Sequence, residues 1–268
     1  MATLETIKEG INNQDIVKGE RLETLLARVD VKKRFEEILG KKAAGFISSI
    51  ISATKSNPSL KTADPMSIIS SAVVAASLDL PINPNLGFAY IVPYKSKNDV
   101  LTKAQFQMGW KGFVQLAIRT GQFKTMNAAE IYEGELISWN RITGDISIDL
   151  AAKKSDSIIG YVAFFRMLNG FEKYYFMTVA QIEKHAKRYS KSYAKNFGHW
   201  VDDFNSMALK TVLKLLLSKY AMLSIEIQKA LLADQAIVKD DGEEQRFIYE
   251  DNNENEIIDL KDEGKENG

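Results

Sequence analysis

The sequence contains no cysteine. Disulfides, thiolate metal sites and a cysteine nucleophile are therefore excluded, and the absence fits a reducing, cytoplasmic setting. Histidine is almost missing too. His185 and His199 are the only two, and neither stands in the H-E-x-x-H pattern that would hold zinc. Both read as surface or nucleic-acid contacts. There is no G-x-x-x-x-G-K-[ST] loop for a nucleoside triphosphate and no G-x-S-x-G nucleophile elbow. Gly109-Trp110-Lys111-Gly112 has the letters of the first without its spacing. Long apolar runs are missing: Leu213 to Leu223 is cut by Lys214 and Lys219, so no membrane span is expected. The N-terminus lacks the basic and apolar regions of a signal peptide. Carboxylates are sparse after residue 150, and the adjacent Asp202 and Asp203 would point apart on a helix. A two-metal nuclease needs several converging acids. No enzyme, metal or cofactor is expected on these grounds.

Net charge is missing only in the sum. The chain has 35 Lys plus Arg against 35 Asp plus Glu, but residues 1–235 hold 31 basic and 23 acidic side chains, and residues 236–268 hold 4 and 12. The body is thus at +8 and the tail at −8. Long-range fields depend on where charges sit, so the two parts are read separately.

The pattern of what is present reads as helices and strands in one chain, with an N-terminal helical lobe and a disordered acidic tail. Residues 1–62 read as a helical segment that packs on the body or serves self-association. Residues 63–235 read as the core, and residues 236–268 as the tail, too polar to bury enough apolar surface to order itself. Within the core, Asp64-Pro65 is a helix start. Phe88 to Tyr94 and Val100 to Met108 alternate as strands around a polar turn. Trp110 to Thr120 is helical and stops at Gly121. Tyr161 to Met167 and Phe171 to Met177 form a hairpin about Asn169-Gly170. Thr178 and Gln181 make a capping box, and a last helical stretch runs from Val201 to Ala233 with a break near Leu223-Ser224.

Basic charge is concentrated between Lys184 and Lys219, with eight Lys or Arg against two acids. Lys184, Lys187, Arg188, Lys191 and Lys195 share one face if the helix continues that far. Tyr189, Tyr193 and Phe197 are interleaved, the combination that holds single strands by stacking and phosphate contact. The alternative is a solvated helix face with core aromatics. Lys210 and Lys214 sit one turn apart. Lys111, Arg119 and Lys124 flank the helix that starts at Trp110. Gln105 and Gln107 present amides on one side of a strand whose other side carries Phe106. Gly109 and Gly112 either bring backbone N–H groups close to an anion or simply pack.

Gln107 to Gly121, reading Gln-Met-Gly-Trp-Lys-Gly-Phe-Val-Gln-Leu-Ala-Ile-Arg-Thr-Gly, resembles the signature of the RecT family of phage recombinases. Ser77 to Pro81, Ala89 to Tyr94, Glu130 to Gly134 and Met207 to Lys214 resemble further blocks of that family, in order, over about residues 65–220. Trp110 stands where the family usually has tyrosine, and Thr120 where it has serine; each keeps the ring or hydroxyl. The resemblance implies an α+β fold, a small antiparallel β-sheet packed with helices, with which the order of strands and helices above is compatible. It implies a protein that anneals complementary single strands of DNA without ATP or another cofactor. It implies a homo-oligomeric ring or helical filament, working beside a phage exonuclease. Its partners would be single-stranded DNA and the annealed duplex, with a host single-strand-binding protein as a further candidate and no membrane. Lys111, Arg119, Lys124, Arg188, Lys191, Lys195, Lys210 and Lys214 are expected on the DNA backbone. Gln105 and Gln107 are expected as polar contacts, and Trp110, Tyr189, Tyr193 and Phe106 as stacking surfaces. A passive strand-protecting protein is the alternative, with a metal-dependent DNA-processing enzyme behind it. The tail is read as a solubilising end, or as a competitor with DNA for the basic groove or a dock for a partner.

Overall fold

Five helices open the described chain, which in the computed structural model comprises residues 21–95, 101–240 and 245–249. These are α1 (Leu22–Ala27), α2 (Val29–Leu39), α3 (Ala43–Ser56), α4 (Pro58–Lys61) and α5 (Pro65–Ser77). Asn57 is extended, as a residue before proline should be, and its side chain accepts from the N–H groups of Ser59 and Leu60 to start α4. Asp64 accepts from Met66 and Ser67 in the same way, with Pro65 at the first position of α5. Residues 67–76 of α5 are all buried, so this helix is apolar or small on every side and is the axis on which the others pack. Leu22, Leu25 and Leu26 join the core, whereas Val29 is exposed because Arg28 breaks the helix before it.

The strands β1 (Ala89–Tyr94) and β2 (Lys103–Met108) pair antiparallel, with Tyr90 opposite Gln107. The turn expected between them falls largely on residues 96–100, outside the described residues. β2 is docked on α5 by two serines: Ser67 Oγ accepts from Ala104 N–H at 2.8 Å and Ser71 Oγ donates to the Ala104 carbonyl at 3.3 Å. Buried backbone groups need such partners when no strand supplies them. The chain then enters α6 (Trp110–Arg119), which ends at Thr120 with Gly121 at φ +66°.

A three-stranded antiparallel sheet follows in the order β3 (Phe123–Tyr132), β6 (Ile158–Met167), β7 (Glu172–Thr178). Between β3 and β6 the chain makes a separate hairpin, β4 (Leu136–Trp139) with β5 (Ile146–Ile148). It folds over one face of the sheet around Ile131, Val162 and Phe176. The other face, through Tyr161, Ala163, Phe165 and Met167, belongs to the main core. Across that face lies α10 (Phe204–Tyr220), where the Tyr161 hydroxyl meets Asn205 at 2.6 Å. Before it come α7 (Val179–Tyr189), opened by the Thr178–Gln181 capping box, then α8 (Lys191–Ala194) and α9 (His199–Asp202); after it comes α11 (Ile225–Ala233).

Two expectations are corrected. The helix carrying the basic array does not run on from Lys184 to Lys195. Ser190 leaves the helical region at φ −134°, ψ 106°, and its side chain caps a new short helix by accepting from Tyr193 N–H. The chain is also not structureless from residue 236. Strands β8 (Ile237–Asp240) and β9 (Gln245–Ile248) pair as a hairpin. Ala236, Ile237 and Val238 are buried and Phe247 packs on the core from the second strand, which anchors the hairpin despite the charges around it. The expected disordered stretch from residue 250 lies outside the described residues, as does the helical reading of residues 1–20.

Candidate nucleic-acid interface

The site is organised by a close approach of two chain segments. At the β2-to-α6 junction, Gly109 N–H donates to the Phe88 carbonyl at 2.9 Å. A Cβ on Gly109 would lie 2.0 Å from the Gly87 oxygen, and one on Gly112 would lie 2.2 Å from the Phe88 oxygen. Both distances are far inside van der Waals contact, so both positions require glycine. The glycines of the Gly-Trp-Lys-Gly run thus serve packing against Gly87-Phe88, the second of the two readings offered for them. Their effect is to place Trp110 and Lys111 in the first turn of α6. The Lys111 ammonium stands 5.9 Å from the centre of the Trp110 ring.

Beside this turn opens a cleft of about 270 Å³. Its walls include Tyr90 and Gln107 from the β1–β2 pair, Trp110 and Lys111 from α6, His199, and Met207 and Lys210 from the first turns of α10. A second cleft of about 210 Å³ shares Met207 and Lys210 with it and continues past His185, Tyr189, Lys214, Asp234 and Tyr249. The start of α10 is therefore the common wall of two adjoining clefts. Burial pushes the Tyr90 hydroxyl above its ordinary pKa, helped by the charge of Asp203. Burial also drives His185 down to about 4, and the charges of Lys214 and Arg188 add to this. His185 is hence a neutral wall at pH 7.

Beneath the clefts lies a charge cluster the sequence did not announce. The Asp234 side chain is 0% exposed. Oδ1 accepts from Met108 N–H at 3.0 Å and from the Lys210 ammonium at 2.7 Å; Oδ2 accepts from the Lys214 ammonium at 2.8 Å. Burial alone would raise this carboxyl, but the two ammonium groups outweigh it and hold it below the ordinary carboxylate range. Burial pulls Lys210 the other way, down from the usual lysine value, against the attraction of Asp234. The ionised cluster is the state the geometry supports, since the carboxylate accepts three hydrogen bonds, two of them from ammonium groups. Two cations against one anion leave one positive charge in excess. Lys214, 30% exposed, carries it to the second cleft.

The structure brings some of the expected contacts together. Gln107, Trp110 and Lys111 line the first cleft, Tyr189 and Lys214 the second, and Arg188 lies 5.2 Å from the Tyr189 ring. Lys191 and Lys195 are exposed just beyond, after the break at Ser190. Lys124 is exposed at an irregularity in β3. Other expected contacts are drawn inward. Lys210 is 4% exposed and spent on Asp234, so its ammonium is not presented to a ligand. Gln105 is 8% exposed and Phe106 fully buried. Tyr193 packs on Trp200 and Phe204 at 5.9 and 6.3 Å. The Arg119 guanidinium donates to the carbonyls of Leu78 and Asp79, closing the end of α5. Tyr90, Asp234 and Tyr249 were missed. Tyr90 had a signal, in its strand partnership with Gln107; Asp234, 24 positions from Lys210, had none.

Among the described residues there is no group of three or more His, Asp or Glu that could hold a metal ion, and no helix long and apolar enough to cross a membrane. The chain is 47% identical to the uncharacterized protein YqaK of Bacillus subtilis (strain 168), over 99% of this chain and 90% of that protein. It is 34% identical to the protein RecT of Escherichia coli (strain K12), over 66% of each. The family model named RecT family matches residues 44–250, a span that contains both clefts and the β8–β9 hairpin. The chain belongs to the RecT family.

Proposed function

We propose that this protein binds single-stranded DNA along the two adjoining clefts and anneals it to a complementary strand without ATP, as a homo-oligomer. Membership of the RecT family supports a role in recombination by single-strand annealing. The observation that carries the assignment to this surface is the shared wall at Met207 and Lys210. It supports reading the two clefts as one path, because residues 107–111 and Met207, Lys210 and Lys214, from two family blocks, line adjoining walls.

Along that path Lys111 and Lys214 supply positive charge from opposite ends. Arg188, Lys191 and Lys195 extend it, and Lys124 lies on the sheet. Phosphates neutralised there release counterions, while Trp110, Tyr90 and Tyr189 offer ring faces to bases. Lys210 acts through the Asp234 cluster rather than on DNA. Copies side by side join their clefts into a longer groove, in a ring or filament, and hold the first strand extended. Watson–Crick pairing with the second strand then supplies the specificity. No covalent bond changes, so no catalytic group is needed. The protein contributes by screening two like-charged strands and pre-organising one of them.

The test is direct. Mixing labelled complementary strands with the protein should speed their pairing and leave both full length in the presence of Mg²⁺. A protein that slowed pairing would be a passive protector, and shortened strands would make it a DNA-processing enzyme. A phage exonuclease that exposes the strand, and a host single-strand-binding protein, are the partners this role calls for.

A further inference from the structure

The described chain ends on the wall of the second cleft. Tyr249 lines it together with Lys214, His185 and Tyr189. The Tyr249 hydroxyl donates to the Leu232 carbonyl, and burial, with the charge of Asp234, pushes its pKa up to about 12. The ring is thus held in place as an un-ionised donor, which fixes the point from which the remaining chain departs. Residues 250–268 hold eight acidic and two basic side chains. Glu250 and Asp251 come first, within about 4 and 8 Å of the Tyr249 backbone by chain geometry alone. The cleft has the complementary charge. Its Lys210–Asp234–Lys214 cluster is one cation in excess, and Lys214 carries that charge into the cleft. Exposed Arg188 stands beside it, 5.2 Å from the ring of Tyr189, which lines the same cleft from α7.

We propose that the acidic segment 250–268 docks on the Lys214 cleft of its own chain and competes there with the DNA backbone. The proposal rests on the functional reading above, in which that cleft is part of the DNA path. A tethered ligand that starts at the rim is present at an effective concentration of about 1 mM. With a weak intrinsic dissociation constant of roughly 0.1–1 mM, such a competitor lowers apparent DNA affinity by about two- to tenfold. Its carboxylates meet the same ammonium groups that phosphates would, so DNA displaces it without any conformational change in the body. The effect is electrostatic and fades with salt as the Debye length falls below about 10 Å.

Two measurements test this on the full-length protein. In the first, carbodiimide coupling without DNA joins carboxylates to lysines in contact, and the products are mapped by mass spectrometry. Cross-links from residues 250–268 to Lys214 are expected, and their absence overturns the proposal whether or not the protein binds DNA. In the second, the eight acids of residues 250–268 are changed to Gln or Asn, with and without Lys214→Ala, and affinity for an oligothymidylate is measured. At about 20 mM salt the neutralised tail should raise affinity two- to tenfold, the gain should vanish above about 0.3 M, and Lys214→Ala should remove at least half of it. No gain, or an equal gain without Lys214, overturns docking in the cleft. A gain that disappears on dilution places the segment on a neighbouring copy and overturns the intramolecular form. If the wild type shows the cross-links yet binds no oligonucleotide, it is the functional reading that falls.

Discussion

Lys210 and Lys214 lie one helical turn apart on α10, yet their surroundings differ. One is enclosed against Asp234, and the other reaches from the same carboxylate into a cleft. Helical spacing alone treats the two as equivalent, because it knows only the element they share and nothing of a carboxylate arriving from beyond α11. The difference is measurable. Lys111→Ala and Lys214→Ala should each weaken single-strand binding for all sequences. Each should also reduce the slope of log affinity against log salt by about 0.7, the value for one phosphate on a single strand. Lys210→Met should reduce that slope less than either, because the buried ammonium meets no phosphate itself and acts only through the charge balance of the cluster. Asp234→Asn should cost about 3–5 kcal/mol of stability, because it strands a buried ammonium; urea unfolding reads this directly. A loss below 1 kcal/mol would mean that the cluster opens freely to water.

Elements were legible where their ends carry chemistry. Asp64-Pro65, the Thr178–Gln181 box and Asn169-Gly170 each satisfy or bend the backbone locally, and each stands where the sequence places it. Gly170 has φ +88°, and the Asn169 side chain accepts from Phe171 N–H. The run past Ser190 misled because charges at i, i+3, i+4 and i+7 describe a helix only while the backbone stays helical. Serine can instead turn its hydroxyl to a backbone N–H ahead of it, as Ser190 does at Tyr193. The β8–β9 hairpin was hidden by composition: its charges look solvent-facing, while Ala236, Ile237 and Val238 supply the burial that orders it. At the β2-to-α6 junction, Gly109→Ala forces a methyl into the Gly87 carbonyl. It should cost about 1–3 kcal/mol through overpacking and displace Trp110 and Lys111 with it. Single-strand affinity should fall along with thermal stability; a variant as stable as wild type would contradict the tight approach.

For the whole molecule, the zero net charge is the sum of a basic body and an acidic tail, and the body carries two clefts joined by one helix. The clefts are assembled from segments up to 165 positions apart in the chain, from Pro84 to Tyr249. Family blocks in the sequence could name the segments, but only the fold shows which side chains of each block face the same space. Stability should also respond to acid in a defined way. An unfolded chain protonates His185 near its usual pKa of 6.5, whereas the native side chain resists until about 4. The unfolded state therefore binds more protons in that window, so the His185 contribution is full above 6.5 and is lost as pH falls towards 4. Asp234, held below the ordinary carboxylate range, adds a further loss in stronger acid. His185→Gln should flatten the stability profile between pH 6.5 and 4 in denaturant titrations. An unchanged slope would mean that this imidazole is solvated in the native protein.

The central claim is that the two clefts hold a single strand in a form ready to pair. The most direct measurement is the rate at which two labelled complementary oligonucleotides become duplex, without ATP, in the wild type and in Lys111→Ala/Lys214→Ala. The wild type should accelerate pairing well above the protein-free rate, and the double variant, folded by circular dichroism, should lose most of that acceleration. Wild-type protein that slows pairing, or a double variant as fast as wild type, would contradict the claim.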